Sequence, residues 1–588
     1  MSIIRRYSLP LALLSALAAA LAAPYLVPLD PDGAVFRSGT LGAILIAASF
    51  YPACQAFRRA DRRTLVCASV CALLFAFALG IGSELFFYDG LLRGTSSLIR
   101  RLAVPVMTTP LLSWLCAYAM LARIPARRQA RPIPMFAFAL VLLVCWMPVL
   151  LAYFPGMLNY DIVTEYNQQR LHQFNAINPL LYSVIELGLI NLGEWLSSAT
   201  FGLFLTTSAR MLCFAFALAY ACAFVQQRGA PRWALALMTA FFALHPVFSV
   251  MSVSTNKDVP FTSALLVLSL LSWQWLDEPD AFWRSKKRRA AFVLMTIGTA
   301  HMRKNGLFAL ALLLPGLILA LRGQRKRAAC LCGISAACCA ALQIALTLIL
   351  SPVSQPAGQL YSLPAQQLVR AYNAGDFSPE DTAELESWYL YPTGLNIYPH
   401  NADRAKNNLD HERLSAHGDE FLALWTRNAA SHPHEYAEAF LMMNMGLWYP
   451  DDLSHSTIYH PVNYDPPGYL ETDLFVSDLP EFETVCLLPR VRDLIEEICK
   501  RNAYQKYPIV SILFCTATPF WVLVFAAALL IARRRARLAV CTLGMLGIWG
   551  SYLLGPCTLP RYVLPLFCLA PALLLAAMTD DVRKEGAL

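Results

Sequence analysis

The stretch AFALVLLVCWMPVLLAYFPGMLNYDIVTEYNQQRLHQFNAINP, residues 137–179, decides how the chain is read. Its first half, as far as Phe154, carries no charge and as a helix would cover most of the roughly 30 Å of hydrocarbon in a bilayer. Its second half places Asn159, Tyr160, Asp161 and Glu165 directly behind that run, followed by Gln, Asn and His residues that are costly to expose to lipid. A membrane helix that empties into a polar loop is the unit from which the rest of the chain is built.

Of the 588 residues, 57% are hydrophobic and only 15% charged, and the mean hydropathy of +0.48 lies outside the range of ordinary soluble domains. Backbone groups in hydrocarbon must be satisfied within the segment, so the apolar runs are helices. The lack of period-two alternation excludes a β-barrel. The expected fold class is an all-α polytopic membrane protein with about fourteen spans, near 7–28, 39–57, 64–87, 102–122, 133–153, 201–225, 233–253, 259–276, 289–302, 305–322, 328–351, 508–532, 537–555 and 561–578. The N-terminal segment has the outline of a signal peptide but is read as a retained first helix, because so many spans follow. Most of the 17 cysteines fall in apolar runs, where Cys acts as a small hydrophobe. Cys486 and Cys499 lie in the long polar segment and could pair there in an oxidising compartment.

The connections sort by charge. Basic loops at 58–63, 123–131, 226–232, 284–289, 322–327 and 533–537 fall on one side, which the positive-inside rule makes the cytoplasm, together with both termini. Counting NPLLYSVIELGLINLGEWL (178–196) as a span would flip every later basic loop, so it is read as re-entrant or lying against the membrane. Polar stretches at 154–179, 254–260, 301–306, 352–507 and 555–562 then share the opposite, extracytoplasmic face. The expected organisation is N-terminal transmembrane helices (1–132), a core (133–351) whose loop 154–179 is the active-site loop, an extracytoplasmic domain (352–507) and C-terminal transmembrane helices (508–588). Segment 352–507 holds 23 acidic against 10 basic residues and seven of the ten histidines, with helix signals at Ser378-Pro379 and at LPRVRDLIEEICKR, so it reads as a mostly helical, acidic cap.

Chemistry concentrates on that face. Asp161 and Glu165, four apart, would share one side of a helix at the membrane boundary, where partial desolvation makes a carboxylate a better base. A solvated acidic turn is the plainer reading of that spacing. Lys257 and Asp258 sit at a turn between two apolar runs, Arg303 and Lys304 follow a short apolar run, and Arg561 opens the last span. Cations on this face run against the orientation bias and call for an anionic ligand, with snorkelling to lipid phosphates as the alternative. His432, His434 and Glu435, and His455 with His460, have no recognised zinc spacing. Walker, dinucleotide-binding and Gly-x-Ser-x-Gly patterns are missing, and nothing in the sequence points to nucleic acid.

In order along residues 154–568, FPGMLNYDIVTEYNQ, NPLLYSVI, STNKDVPFTSALLVL, MRKNGLFALALLLP, YSLPAQQLVRAY and PRYVLPLF resemble the polytopic GT-C glycosyltransferases, in particular a bacterial branch related to aminoarabinose and protein O-mannosyl transferases. The resemblance implies a hexosyl- or pentosyltransferase that uses a polyprenyl-phosphate sugar donor and a cell-envelope glycan, lipid or protein acceptor among the membrane lipids. It implies Asp161 as the catalytic base and Lys257, Asp258, Arg303, Lys304 and Arg561 as donor-binding or site-shaping residues; beside these, Glu165 and Asp258 are taken as further catalytic candidates, and Asn178 and Tyr160 as further substrate-binding ones. A divalent cation, Mg2+ or Mn2+, is a possible cofactor. The chain departs from the family at Asn178-Pro179, where His-Pro is common, and has no Asp-x-Asp near Asp161, which argues against metal dependence. A transporter or flippase of a lipid-linked or anionic solute also fits many spans with boundary charges, although no inverted repeat is visible. An O-antigen-type polymerase or ligase would share the lipid-linked substrate.

Overall fold

The computed structural model describes residues 7–26, 39–88, 90–127, 131–171, 173–176, 178–353, 360–375, 377–395, 401–450, 470 and 479–579. Among these the regular structure is helical, and β-pairing is confined to isolated bridges. In chain order the helices are α1 (Ser8–Leu26), α2 (Gly39–Arg59), α3 (Arg62–Tyr88), α4 (Thr95–Leu121), α5 (Met135–Ala152), α6 (Tyr160–Arg170), α7 (Leu180–Leu196), α8 (Ala199–Gln227), α9 (Arg232–Leu244), α10 (Pro246–Val253), α11 (Asp258–Asp277), α12 (Pro279–Arg284), α13 (Lys286–Met302), α14 (Gly306–Ala320) and α15 (Arg325–Leu350). The acidic segment supplies α16 (Ser362–Asn373), α17 (Pro379–Ser387), α18 (Ala402–Asn407), α19 (His411–Ser431), α20 (Pro433–Met443), α21 (Met445–Trp448) and α22 (Pro489–Cys499). The chain closes with α23 (Pro508–Phe514), α24 (Thr518–Ala532), α25 (Leu543–Tyr552) and α26 (Leu564–Met578).

The chain is an all-α membrane protein, but the count of fourteen spans does not hold. Among the described residues six helices are long and apolar enough to cross: α3, α4, α5, α8, α11 and α15. A seventh span results if α9 and α10, bent by 48°, act as one. The excess arose because hydropathy averages across breaks. His245-Pro246 splits the expected span at 233–253, and α23 and α24 divide the one at 508–532. Residues 536–542 form a 3₁₀ stretch ahead of α25, and α14, α24 and α26 are each only 15 residues long. Such a helix rises about 22 Å, short of the roughly 30 Å of hydrocarbon. α13 begins with Lys286, Lys287, Arg288 and Arg289, which leaves too few apolar residues to cross. The segment 178–196 forms α7, which packs against α8. Their approach is close enough that a Cβ on Gly193 would lie 2.2 Å from the Gly202 Cα, and one on Gly202 2.4 Å from the Ile190 carbonyl oxygen.

Helix α11 is apolar all round and is the most buried of the long helices, as such a helix must be in a bundle core. It packs against α8, α13 and α26. Helices α3 and α4 pair with each other, α3 also packs on α24, and α1 and α2 lie against α4. α15 rests mainly on α13 and leaves most of its apolar surface uncovered within the chain.

The two ends of the bundle differ in chemistry, as the loop charges require. At one end Arg127 N–H donates to Gly229 O (2.8 Å), Arg228 pairs with Asp277 (3.3 Å), Arg533 donates to Ala122 O and Ala577 O (2.5 and 2.7 Å), and Asp61 feels Arg534. The described residues of the other basic connections join them, Arg288 and Arg228 both acting on Tyr220 and Arg322 and Arg537 lining one opening. At the other end sit α6, the turns before α11 and α14, residues 553–563 and the acidic segment.

That segment is a folded cap with its own core of Leu368, Trp388, Phe421 and Tyr436. Ser378 caps α17, its hydroxyl accepting from Asp381 N–H at 3.0 Å, as the Ser-Pro signal predicts. Cys486 and Cys499, whose pairing the sequence left open, are both free thiols. The whole of α22 intervenes, about 16 Å of helix, whereas a disulfide needs Cα atoms within about 7 Å. The cap is bolted to the bundle. Glu438 accepts from Leu91 N–H and from Arg370 (2.5 and 2.7 Å), Glu435 pairs with Arg93, and Ala402 N–H donates to Pro556 O at 2.8 Å. Trp521 and Trp549 donate indole N–H groups to Trp448 O and Leu447 O (2.8 and 2.9 Å).

Candidate functional site

At the cap end, two separate stretches are stitched into one floor. The segment leaving α5 runs beside the segment leaving α10: Met157 N–H donates to Val253 O, Thr255 N–H to Met157 O (both 2.9 Å), and Asn159 N–H to the Thr255 hydroxyl (2.8 Å). Asn256, almost fully buried, then accepts from Asp258 and Val259 N–H (both 3.1 Å) while donating to Ser254 O (2.9 Å). Ser, Thr and Asn compete for backbone in this way, and here they end one helix and start the next. The result fixes where Lys257 and Asp258 emerge.

Lys257 donates its ammonium to Asn178 Oδ1 at 2.7 Å, and Lys304 donates to the Ala176 carbonyl. Residues 176 and 178, on the approach to α7, therefore orient two lysines from distant parts of the chain. The Lys304 ammonium is held down to about 8, first by desolvation and then by the Lys257 charge. Beside them Arg303 forms a buried ion pair with Asp258. The Arg303 guanidinium also lies over Tyr562 (4.6 Å to the ring centroid) and Tyr552 (5.3 Å), whose rings stack at 5.3 Å. Arg561 reaches the same Tyr562 ring at 5.5 Å. Burial pushes the Tyr562 hydroxyl well above its ordinary range, with Cys557 adding and Arg561 and Arg303 opposing.

Asn178, Lys257, Asp258, Arg303, Lys304 and Arg561 thus lie in one cluster, although they span nearly 400 residues of sequence. Asp161 and Tyr160 begin α6, directly after the stitched segment, and their side chains lie outside those described. Glu165 is buried in α6, whose Ile162 and Tyr166 pack on Leu187, Ile190 and Leu203. Tyr562, Tyr552 and Asn256 are site residues that motif reading passed over. A signal for Tyr562 was present in its place beside Arg561. A second buried pair, Glu186 of α7 with Arg210 of α8, went unread because Arg210 sits inside an apolar run.

The described side chains do not suit a divalent cation. Asp258 is committed to Arg303, and among the described residues no group of three or more His, Cys, Asp or Glu converges. His455 and His460 lie outside the described residues.

The turn carrying Arg303 and Lys304 is held by close contact. Gly306 opens α14 where a Cβ would lie 1.7 Å from the Thr299 carbonyl oxygen of α13. Gly306→Ala should therefore force the backbone apart at a cost of about 1–3 kcal/mol. A fall in melting temperature would register it, and an unchanged midpoint would show that the turn can relax.

A model of a family of unknown function (DUF6020) matches residues 171–587, well over half of the chain. The chain belongs to that family. The matched region takes in the lysine pair, the Asp258–Arg303 pair and Arg561, whereas Tyr160, Asp161 and Glu165 precede it. No curated protein and no solved structure matches the chain.

Proposed function

We propose that this DUF6020 member is a GT-C-type membrane glycosyltransferase that takes a sugar from a polyprenyl-phosphate-linked donor and passes it, with inversion, to a hydroxyl of a cell-envelope acceptor. The observation that carries the reading is the lysine pair. Two ammonium groups from distant parts of the chain are oriented by the Asn178 side-chain oxygen and the Ala176 carbonyl, close enough that the Lys257 charge holds the Lys304 ammonium down, so positive charge is concentrated at one place. An anion bound there relieves the repulsion, and a phosphate offers acceptors for the donors that Lys retains.

The orientation follows from charge. With the basic end in the cytoplasm, the cluster and the acidic cap face outward, where a lipid-linked sugar can meet an envelope acceptor. Lys257, Lys304 and Arg561 hold the donor phosphate and stabilise the charge that grows on it as the glycosidic bond breaks. Asp161, in the first turn of α6, is the residue we assign to take the proton of the attacking hydroxyl. Asp258 holds Arg303 against the two tyrosines, so that pair shapes the wall instead of meeting the phosphate.

The test is binding of polyprenyl phosphate to the full-length protein in nanodiscs, with Lys304→Ala and Arg561→Ala. Saturable binding should weaken by about tenfold in each variant, the contribution of one charge-assisted contact. The pH dependence has a defined sign. Lys304 loses its charge as pH rises through about 8, so affinity should fall between pH 7 and 9, and Lys304→Arg, charged throughout, should flatten that fall. Binding indifferent to both substitutions would remove the donor site and favour transport of a solute.

A further inference from the structure

A wide opening lies at the other end of the molecule, away from the lysine cluster. It is a cavity of about 1460 Å³ between the end of α14, the 3₁₀ turn Arg322–Gln324, the start of α15 and the 3₁₀ stretch Ala536–Thr542. Its rim carries Arg322, Arg325, Lys326, Arg327 and Arg537 against a single acid, Asp280. That acid is already engaged, accepting from Gln324 Nε2 at 2.6 Å and facing Arg327 at 3.8 Å. Helix α15 starts here without a side-chain cap, and the Gln324 amide at its N-cap position donates to Asp280. The cavity therefore combines a surplus of four positive charges with the positive end of a long helix.

The deeper wall has the opposite character. Leu319, Val540 and Leu543 line it, and α14 and α15 continue from it as apolar helices into the bilayer region. A site with cations at the membrane surface and hydrocarbon below matches an amphiphile with an anionic head and acyl chains. A soluble phosphate would use the rim and leave the apolar wall bare.

We infer that this cavity binds an anionic phospholipid of the leaflet at the basic end, its phosphate on Arg322 and Arg537 and its chains along Leu319, Val540 and Leu543. The site is separate from the proposed donor site and does not depend on it.

The experiment is native mass spectrometry of the full-length protein titrated with phosphatidylglycerol, with phosphatidylcholine of the same chains, and with glycerol phosphate alone. Phosphatidylglycerol should be retained at least about tenfold better than phosphatidylcholine, since each basic residue at such a surface favours anionic lipid severalfold. The preference should vanish in Arg322→Gln/Arg537→Gln and persist in Arg322→Lys/Arg537→Lys. Equal retention of the two lipids, or a preference untouched by the glutamines, would overturn the inference. Glycerol phosphate bound as tightly as the lipid would also overturn it, in favour of a soluble ligand. Should the glutamine variant fold poorly, wild-type protein labelled with a photoreactive phosphatidylglycerol decides the matter. Label in peptides 319–327 and 536–543 supports the site, and label confined elsewhere refutes it.

Discussion

Arg303→Ala should lower the unfolding free energy by about 3–5 kcal/mol, the usual cost of stranding one partner of a buried ion pair. The Asp258 carboxylate and the Arg303 guanidinium are both buried, and Asp258 cannot turn to water without unravelling the start of α11. The arginine is also held by two faces of aromatic ring, at 4.6 and 5.3 Å. Arg303→Lys keeps the charge but loses the planar contact with Tyr552 and Tyr562, so its cost should be nearer 1 kcal/mol. Chemical denaturation in detergent, followed by tryptophan fluorescence, reads both. If Arg303→Ala lay within about 0.5 kcal/mol of wild type, the pair would contribute nothing and Arg303 would again be available to a ligand.

The fate of Arg303 illustrates how far the sequence could be read. Its cost at a membrane boundary was legible, and so was its nearness to Lys257, Asp258 and Arg561, because loop charges assign each connection to an end of the bundle. Its partner was not legible. Whether a boundary arginine meets a ligand or a carboxylate depends on a few ångströms of helix placement, and hydropathy carries no such information. The miscounted spans fail for a related reason: α14 and α26 are apolar enough for lipid, but packing against α25 and α24 allows them to stop at 15 residues. The cap was legible in composition and in its Ser378 signal. Its attachment through Glu435 and Glu438 was not, since those carboxylates read as part of a uniformly acidic segment.

Asp161→Asn should reduce sugar transfer by about a thousandfold while leaving polyprenyl-phosphate binding and the melting temperature near wild type. A positioned general base contributes about 10²–10⁴ in rate, and asparagine keeps the shape but cannot accept the proton. The backbone argument for Asp161 is specific. Residues 157–159 are tied to Val253 and Thr255 by short hydrogen bonds, so the first turn of α6 is anchored to the same segment that delivers Lys257. Among the other carboxylates proposed for catalysis, Asp258 is neutralised by Arg303 and Glu165 is buried in α6. The three substitutions should therefore separate. Asp258→Asn should lose stability first, leaving a buried arginine unpaired, and Glu165→Gln should leave the rate within a few-fold. Only Asp161→Asn should lose turnover at full donor occupancy, the signature of a group needed in the transition state and dispensable for ground-state binding. Turnover surviving in Asp161→Asn would move the base elsewhere on the cap face and leave the lysine pair as a binding site in search of its chemistry.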